Sequence, residues 1–314
     1  MKILICDSIQ KSCIDILEKK GFVVDVKTGL SEDELVNVIK GYSAVIVRSA
    51  TKITQKIIEA SDELKFIGRA GSGVDTIDVN AATNKNIIVM NVPGGNTISV
   101  AEHTVGLMLS MIRFIPQSCN DLKNGKWEKK KYMGYELYNK TLGIIGLGKI
   151  GAEVAKRCKA FDMKVIAYDP IISADKAKEY GVDLVDFETL LKQSDFISIH
   201  TPGGPNTKNL ISAKELELCK EKVFIVNCAR GGILNEEDAL KYLNSGKIAG
   251  LALDVFSKEP PDSDSELIKH PNVVVTPHLG ASTKEAQERV AVAIAHQIAD
   301  ALKGKDIIGA VNKK

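Results

Sequence analysis

Over 314 residues, 42 lysines and arginines against 40 aspartates and glutamates leave a formal net charge of +2, which gives no reason to expect nucleic acid or an acidic membrane as a partner. With 44% hydrophobic and 26% charged residues, the chain has the make-up of an ordinary globular protein, and its length suits two domains. Six scattered cysteines, with no CxxC and no ligand-like pairing with histidine, predict reduced thiols, no structural metal and a cytoplasmic chain, and MKILICDSIQ reaches Asp7 too soon for a signal peptide.

Apolar strands are predicted at Lys2 to Cys6, Phe22 to Val26, Ala44 to Val47, Phe66 to Gly68 and Ile87 to Met90. Amphipathic stretches at Cys13 to Leu17, Glu32 to Ile39 and Gln55 to Ala60 alternate with them, so this part is a doubly wound parallel sheet of its own, without a glycine fingerprint. Thr97 to about Gln117 reads as one long apolar helix, capped near Asn96 or Thr97 and stopped at Pro116. Glu102, His103 and Arg113 interrupt it, so it is no membrane span but a linker buried between domains or against a second subunit.

Residues 142 to 169, LGIIGLGKIGAEVAKRCKAFDMKVIAYD, give an apolar strand, the glycine turn GLGKIG, a helix, a second strand and then a carboxylate. That order is the dinucleotide-binding fingerprint in its required context. Gly146 permits the tight turn, Gly148 lets the backbone approach a pyrophosphate, and Gly151 lets the helix pack close on the sheet. Asp169 would bind the adenosine ribose and repel a 2′-phosphate, which favours NAD over NADP; its alternative is to cap the turn before Pro170.

The chain holds 36 lysines and only 6 arginines, so an arginine hints at a need for a planar, forked donor. Arg113, Arg157 and Arg289 lie on predicted helices as surface charges. Arg48 in VRSAT, Arg69 in GRAGSG and Arg230 in NCARGG each follow an apolar strand at its carboxyl end, where doubly wound sheets bind ligands, and together they imply an anionic substrate. The two glycines after Arg230 are read as leaving space beside its guanidinium. Lys129 to Lys131 reads as solvated charge.

Of five histidines, His103 and His296 sit within helices as packing or surface residues, and His270 lies in a turn. His200 and His278 both end strands. His278, in the short TPHLG loop, is the better acid–base candidate, with His200 the runner-up. Glu259, in a loop stiffened by Pro260 and Pro261, is the carboxylate best suited to orient the imidazole, while Asp254 would face the nicotinamide. After Ser282 the helix Thr283 to Lys303 has room to return to the first domain.

Through VRSATKIT, GRAGSGVDTID, NVPGGNTISVAEH, GKWEKKKYMGYEL, GLGKIG, NCARGG, ALDVFSKEPP and TPHLGASTKEA, the chain resembles the D-isomer-specific 2-hydroxyacid dehydrogenase family over nearly its whole length, and MGYEL and VRSAT resemble its phosphoglycerate branch. The resemblance implies an α/β fold of two doubly wound domains, a Rossmann NAD-binding domain at 97–281 inserted in a flavodoxin-like substrate domain at 1–96 and 282–314. It implies oxidation of D-3-phosphoglycerate to 3-phosphohydroxypyruvate, the first step of phosphorylated serine biosynthesis. The apolar helix from Thr97 to Gln117 and the aromatic-bearing loop around Trp127 and Tyr132 would leave a large exposed patch on a monomer, which predicts a homodimer joined through the cofactor domains.

The same resemblance puts the catalytic arginine, glutamate and histidine on Arg230, Glu259 and His278. It assigns cofactor contacts to Ser72, Gly146, Gly148, Lys149, Ile150, Gly151, Asp169, Thr201, Cys228, Ala229, Arg230, Asp254, His278, Leu279 and Gly280. Substrate contacts fall on Arg48, Ser49, Arg69, Gly71, Ser72, Gly73, Arg230 and His278. There are departures: Ser72 and Thr76 stand where threonine and asparagine are usual, and TPGGPNT carries glycines that would loosen the loop over the nicotinamide. Longer relatives continue into regulatory modules, whereas here the sequence stops at GKDIIGAVNKK. A glyoxylate or hydroxypyruvate reductase is the alternative within enzymes, and a corepressor-like NAD sensor the alternative from another class.

Overall fold

The computed structural model describes residues 1–313 and divides into two compact units, Met1–Asn96 with the segment from Ala281, and Thr97–Gly280. In the first, strands β1 (Lys2–Ile5), β2 (Val23–Val26), β3 (Ala44–Val47), β4 (Phe66–Arg69) and β5 (Ile88–Met90) alternate with helices α1 (Lys11–Lys19), α2 (Glu32–Val38), α3 (Gln55–Ala60) and α4 (Val79–Asn84). The strands lie parallel in the order β2-β1-β3-β4-β5, the flavodoxin-like winding. All four β3 residues are buried, as a central strand covered on both faces requires, whereas Val23 and Val26 on the edge strand β2 stay exposed. On the other edge, Ala310 pairs antiparallel with Met90, so the C-terminal segment covers an otherwise open β5.

In the second unit, β6 (Thr141–Ile145), β7 (Lys164–Tyr168), β8 (Asp183–Leu184), β9 (Phe196–Ile199), β10 (Val223–Asn227), β11 (Ile248–Leu253) and β12 (Val273–Val275) form a parallel sheet in the order β12-β11-β10-β9-β6-β7-β8. The chain winds outward from β6 in both directions, first through β7 and β8 and then back through β9. The loop after β6 therefore sits at the switch point where such sheets bind nucleotides.

The expected helix from Thr97 to Gln117 is two helices, α5 (Thr97–Ile112) and α6 (Ile115–Lys123), meeting at 62°. Phe114 breaks it with a left-handed backbone, φ +52°. Pro116 stops nothing: it lies in the first turn of α6, where its missing N–H has no helical partner to lose. Helix α5 packs on α7 (Lys149–Lys159), β10, β11 and β12 of its own unit. Among the described residues no single helix is long and apolar enough to cross a membrane. The last helix, Lys284–Leu302, is capped by Thr283 and packs on α1, β4 and β5 in the first unit.

Candidate functional site

Gly146 turns the chain after β6 at φ +94°, and a Cβ there would press on the His200 backbone at 2.8 Å. A Cβ on Gly151 would run into the Gly146 carbonyl, so the first turn of α7 sits on the loop itself. Gly148 is the N-cap, with no side-chain cap and open space where a Cβ would be, so the first amides of α7 face room for an anion. Lys149 and Ile150 begin that helix. The Thr201 hydroxyl, in the loop after β9 and beside Gly146, is buried without a hydrogen-bond partner. An orphaned hydroxyl next to an uncapped, glycine-lined helix start is what a dinucleotide would complete, so these residues fit the cofactor.

Asp169 follows β7 and its carboxylate holds both loops: Oδ2 accepts from Leu147 N–H at 2.8 Å, and Oδ1 from Ile171 N–H at 2.8 Å and Ile172 N–H at 3.2 Å. It thus caps the turn after Pro170 and also braces the glycine loop. His200, the expected runner-up base, hydrogen-bonds Ser198 Oγ at 2.8 Å through Nε2, and burial pushes its pKa down to about 4. Cys228 is an inert thiol whose pKa burial raises to about 12.

Arg230, Glu259 and His278 lie on three loops that the structure laces together. Asn227, at the end of β10, accepts from Ala229 N–H at 3.0 Å and donates to the Arg230 carbonyl at 2.8 Å, closing the turn that carries the arginine. Arg230 Nη1 donates to the Ala229 carbonyl at 2.7 Å. Gly231 does not clear space for the guanidinium, as expected; a Cβ there would strike the Phe256 carbonyl, so it is a close-approach residue that lets the Arg230 loop rest on the chain leading to Glu259. Of the two glycines expected to loosen TPGGPNT, Gly203 is packed, since a Cβ there would lie 3.1 Å from Arg230 Cγ, while Gly204 faces open space.

Glu259 Oε1 accepts from Phe256 N–H at 3.1 Å, and Oε2 meets His278 Nδ1 at 2.7 Å. The pair is 38% and 48% exposed, so its ion pairing contributes little stability, and its value is orientation: Nδ1 is engaged and Nε2 stays available.

His278 has a left-handed backbone, φ +54°, a conformation that costs a non-glycine residue on the order of 1 kcal/mol or more and persists only where its surroundings impose it. Asp254, just after β11, imposes it. Its fully buried carboxylate accepts from Thr276 Oγ at 2.5 Å, Leu279 N–H at 2.7 Å, Gly280 N–H at 2.8 Å and His103 Nε2 at 3.1 Å. Burial raises this carboxyl, and the hydrogen bonds from His103, Thr276 and Leu279 outweigh it, holding the pKa below the usual value. Asp254, expected to face the nicotinamide, also anchors the His278 loop, with three of its hydrogen bonds ending on Oδ1 and one on Oδ2. His103, read as a packing residue, belongs to this cluster. No local signal marks it, because its two partners lie 151 and 173 residues away.

In the first unit, Arg48 follows β3 and Arg69 ends β4, and the register sets Val47 opposite Arg69, so the two arginines occupy neighbouring strand ends. Arg48 Nη1 donates to the Ser8 carbonyl at 3.1 Å, and Arg69 Nη1 to the Ala70 carbonyl at 2.8 Å. Ser49 follows in the same loop as Arg48. Gly71 lies under the Arg69 guanidinium, where a Cβ would clash. Ser72 donates to Asn96 Oδ1 at 2.8 Å, with Gly73 next in the loop. Of the arginines expected as plain surface charges, Arg157 is half-buried and paired with Glu153 and Glu102, and Arg289 Nε donates to the Gly95 carbonyl.

Residues 105–280 match the family model for the D-isomer specific 2-hydroxyacid dehydrogenase, NAD binding domain. A D-3-phosphoglycerate dehydrogenase of Archaeoglobus fulgidus is 51% identical over 312 residues, which cover 99% of this chain and 59% of that protein. The chain spans about three fifths of the length of the curated relatives it matches. Among solved structures, the TT0316 protein of Thermus thermophilus superposes with a TM-score of 0.92 at 29% identity, covering 99% of this chain and all of the other. A D-lactate dehydrogenase of Aquifex aeolicus, in complex with NAD and lactic acid, gives a TM-score of 0.88 at 28% identity, with 99% of each chain covered.

Proposed function

The chain belongs to the D-isomer specific 2-hydroxyacid dehydrogenase family, and on that premise we propose that it oxidises D-3-phosphoglycerate to 3-phosphohydroxypyruvate with NAD, in the cytoplasm, as the entry to phosphorylated serine biosynthesis. The observation that carries the reading is the Glu259–His278 hydrogen bond of 2.7 Å, which fixes an imidazole with one nitrogen left for substrate. NAD, when bound, supplies the hydride acceptor. His278 Nε2 takes the hydroxyl proton, and Glu259 stabilises the resulting imidazolium at Nδ1. Arg230 stabilises charge on the substrate oxygen and carboxylate. Arg48 and Arg69 supply forked donors for the distal phosphate, with the amides of Gly71, Ser72 and Gly73 and the Ser49 hydroxyl nearby in sequence. The reading is tested by a substrate panel followed through NADH, in which 3-phosphoglycerate should be oxidised well ahead of glycerate; preference for glyoxylate or hydroxypyruvate reduction would replace it with a reductase.

Asp169 holds the loops on which the adenosine ribose would rest, so Asp169→Ala should raise the KM for NAD and relax discrimination against NADP. Equal use of both cofactors by the unaltered protein would refute the ribose assignment.

We also propose a homodimer through the second unit. Several large apolar side chains between Ile115 and Tyr138 are exposed, Trp127 at 81% and Met133 at 82% together with Leu122 and Tyr138, while α5 buries most of its apolar residues. Static light scattering should give twice the chain mass at micromolar concentration, and a stable monomer there would remove the claim.

A further inference from the structure

His278 does not hold its own left-handed conformation. The Thr276 hydroxyl before it and the Leu279 and Gly280 amides after it all end on the Asp254 carboxylate, and its own N–H reaches the Asp254 carbonyl at 2.9 Å. Asp254 in turn is pinned from α5. His103 Nε2 lies 3.1 Å from Asp254 Oδ1 and 3.0 Å from Thr276 Oγ1. Since the Thr276 hydroxyl gives its proton to Asp254, it meets His103 with a lone pair, and both neighbours of Nε2 are acceptors. Nε2 therefore carries a proton and donates to both. One turn earlier on the same face, Ser99 Oγ donates to the Gly280 carbonyl at 2.7 Å, holding the far end of the loop.

We propose that His103, seconded by Ser99, is a positioning residue for the acid–base histidine, setting the Asp254 carboxylate and through it the aim of the His278 imidazole. The proposal rests on the reading of His278 above. Without the His103 donor, Asp254 Oδ1 and Thr276 Oγ1 lose the hydrogen bond that ties both to α5, and the 276–280 loop re-aims. In a well-aligned site a misplacement of about 1 Å can cost about 100-fold in turnover.

The test compares His103→Leu, which removes the donor, with His103→Gln, whose side-chain amide restores one. His103→Leu should lower kcat about tenfold or more, leaving NAD affinity and the melting temperature near those of the unaltered protein, and His103→Gln should recover most of the loss. In the NMR spectrum of the unliganded protein, the His278 imidazole resonances, identified by their loss in His278→Ala, should shift in the leucine variant and return in the glutamine variant. Should His103→Leu not fold, Ser99→Ala carries the same prediction with a smaller loss of kcat. Unchanged kcat and an unmoved His278 signal would overturn the proposal, as would a loss matched by equal losses in NAD affinity and melting temperature, or a glutamine variant no better than leucine. If the unaltered protein oxidises none of the acids in the panel, the proposed function fails while the NMR comparison still decides this one.

Discussion

Replacing His278 or Glu259 by alanine is expected to lower turnover about 100-fold or more while NAD still binds, the range that a positioned general acid–base contributes. The two substitutions act differently. His278→Ala removes the proton acceptor but leaves its loop in place, because the loop is held by backbone groups on Asp254 and not by the imidazole. Glu259→Ala leaves the imidazole with no partner on Nδ1, so the ring loses both its fixed tautomer and the stabilisation of its cation. Steady-state kinetics paired with NAD titration separates chemistry from binding. Near-normal turnover in His278→Ala would shift the role to another group. His200 is the poorer candidate, since burial keeps its imidazole neutral down to about pH 4 and Ser198 engages its Nε2.

Removing Arg48 should weaken 3-phosphoglycerate about 10- to 100-fold, because a hydrogen bond to a charged group contributes about 1.5–3 kcal/mol, and should change glycerate by much less. The loop carrying Arg48 is closed without its guanidinium: the Asp7 carboxylate accepts from the Arg48 and Thr51 amides and from the Thr51 hydroxyl. Arg48→Ala thus takes away a forked donor and leaves its support. Comparing kcat/KM for the phosphorylated and unphosphorylated acids reads the difference. Equal loss for both would mean that Arg48 shapes the loop through its bond to the Ser8 carbonyl, and the phosphate assignment would then stand on likeness to relatives alone.

What the sequence determined by itself is what depends on short spacing. The strand, glycine turn, helix and strand around GLGKIG lie within one supersecondary unit, so the positions of Gly146, Gly148, Gly151 and Asp169 relative to each other follow from local geometry. Alternation of apolar strands and amphipathic helices likewise declared the parallel sheet of the first unit, because each pattern is read within a single element. Arg230, Glu259 and His278 could each be picked from their own loops, but their distances could not. Only the tertiary structure decided that Gly231 lets one loop rest on the next, that Phe114 and not Pro116 breaks the apolar helix, and that Asp254 turns its carboxylate onto the His278 loop with His103 beside it. Those facts rest on contacts between residues far apart in the chain, and a buried hydrogen-bond network leaves no periodicity in the sequence from which to read it.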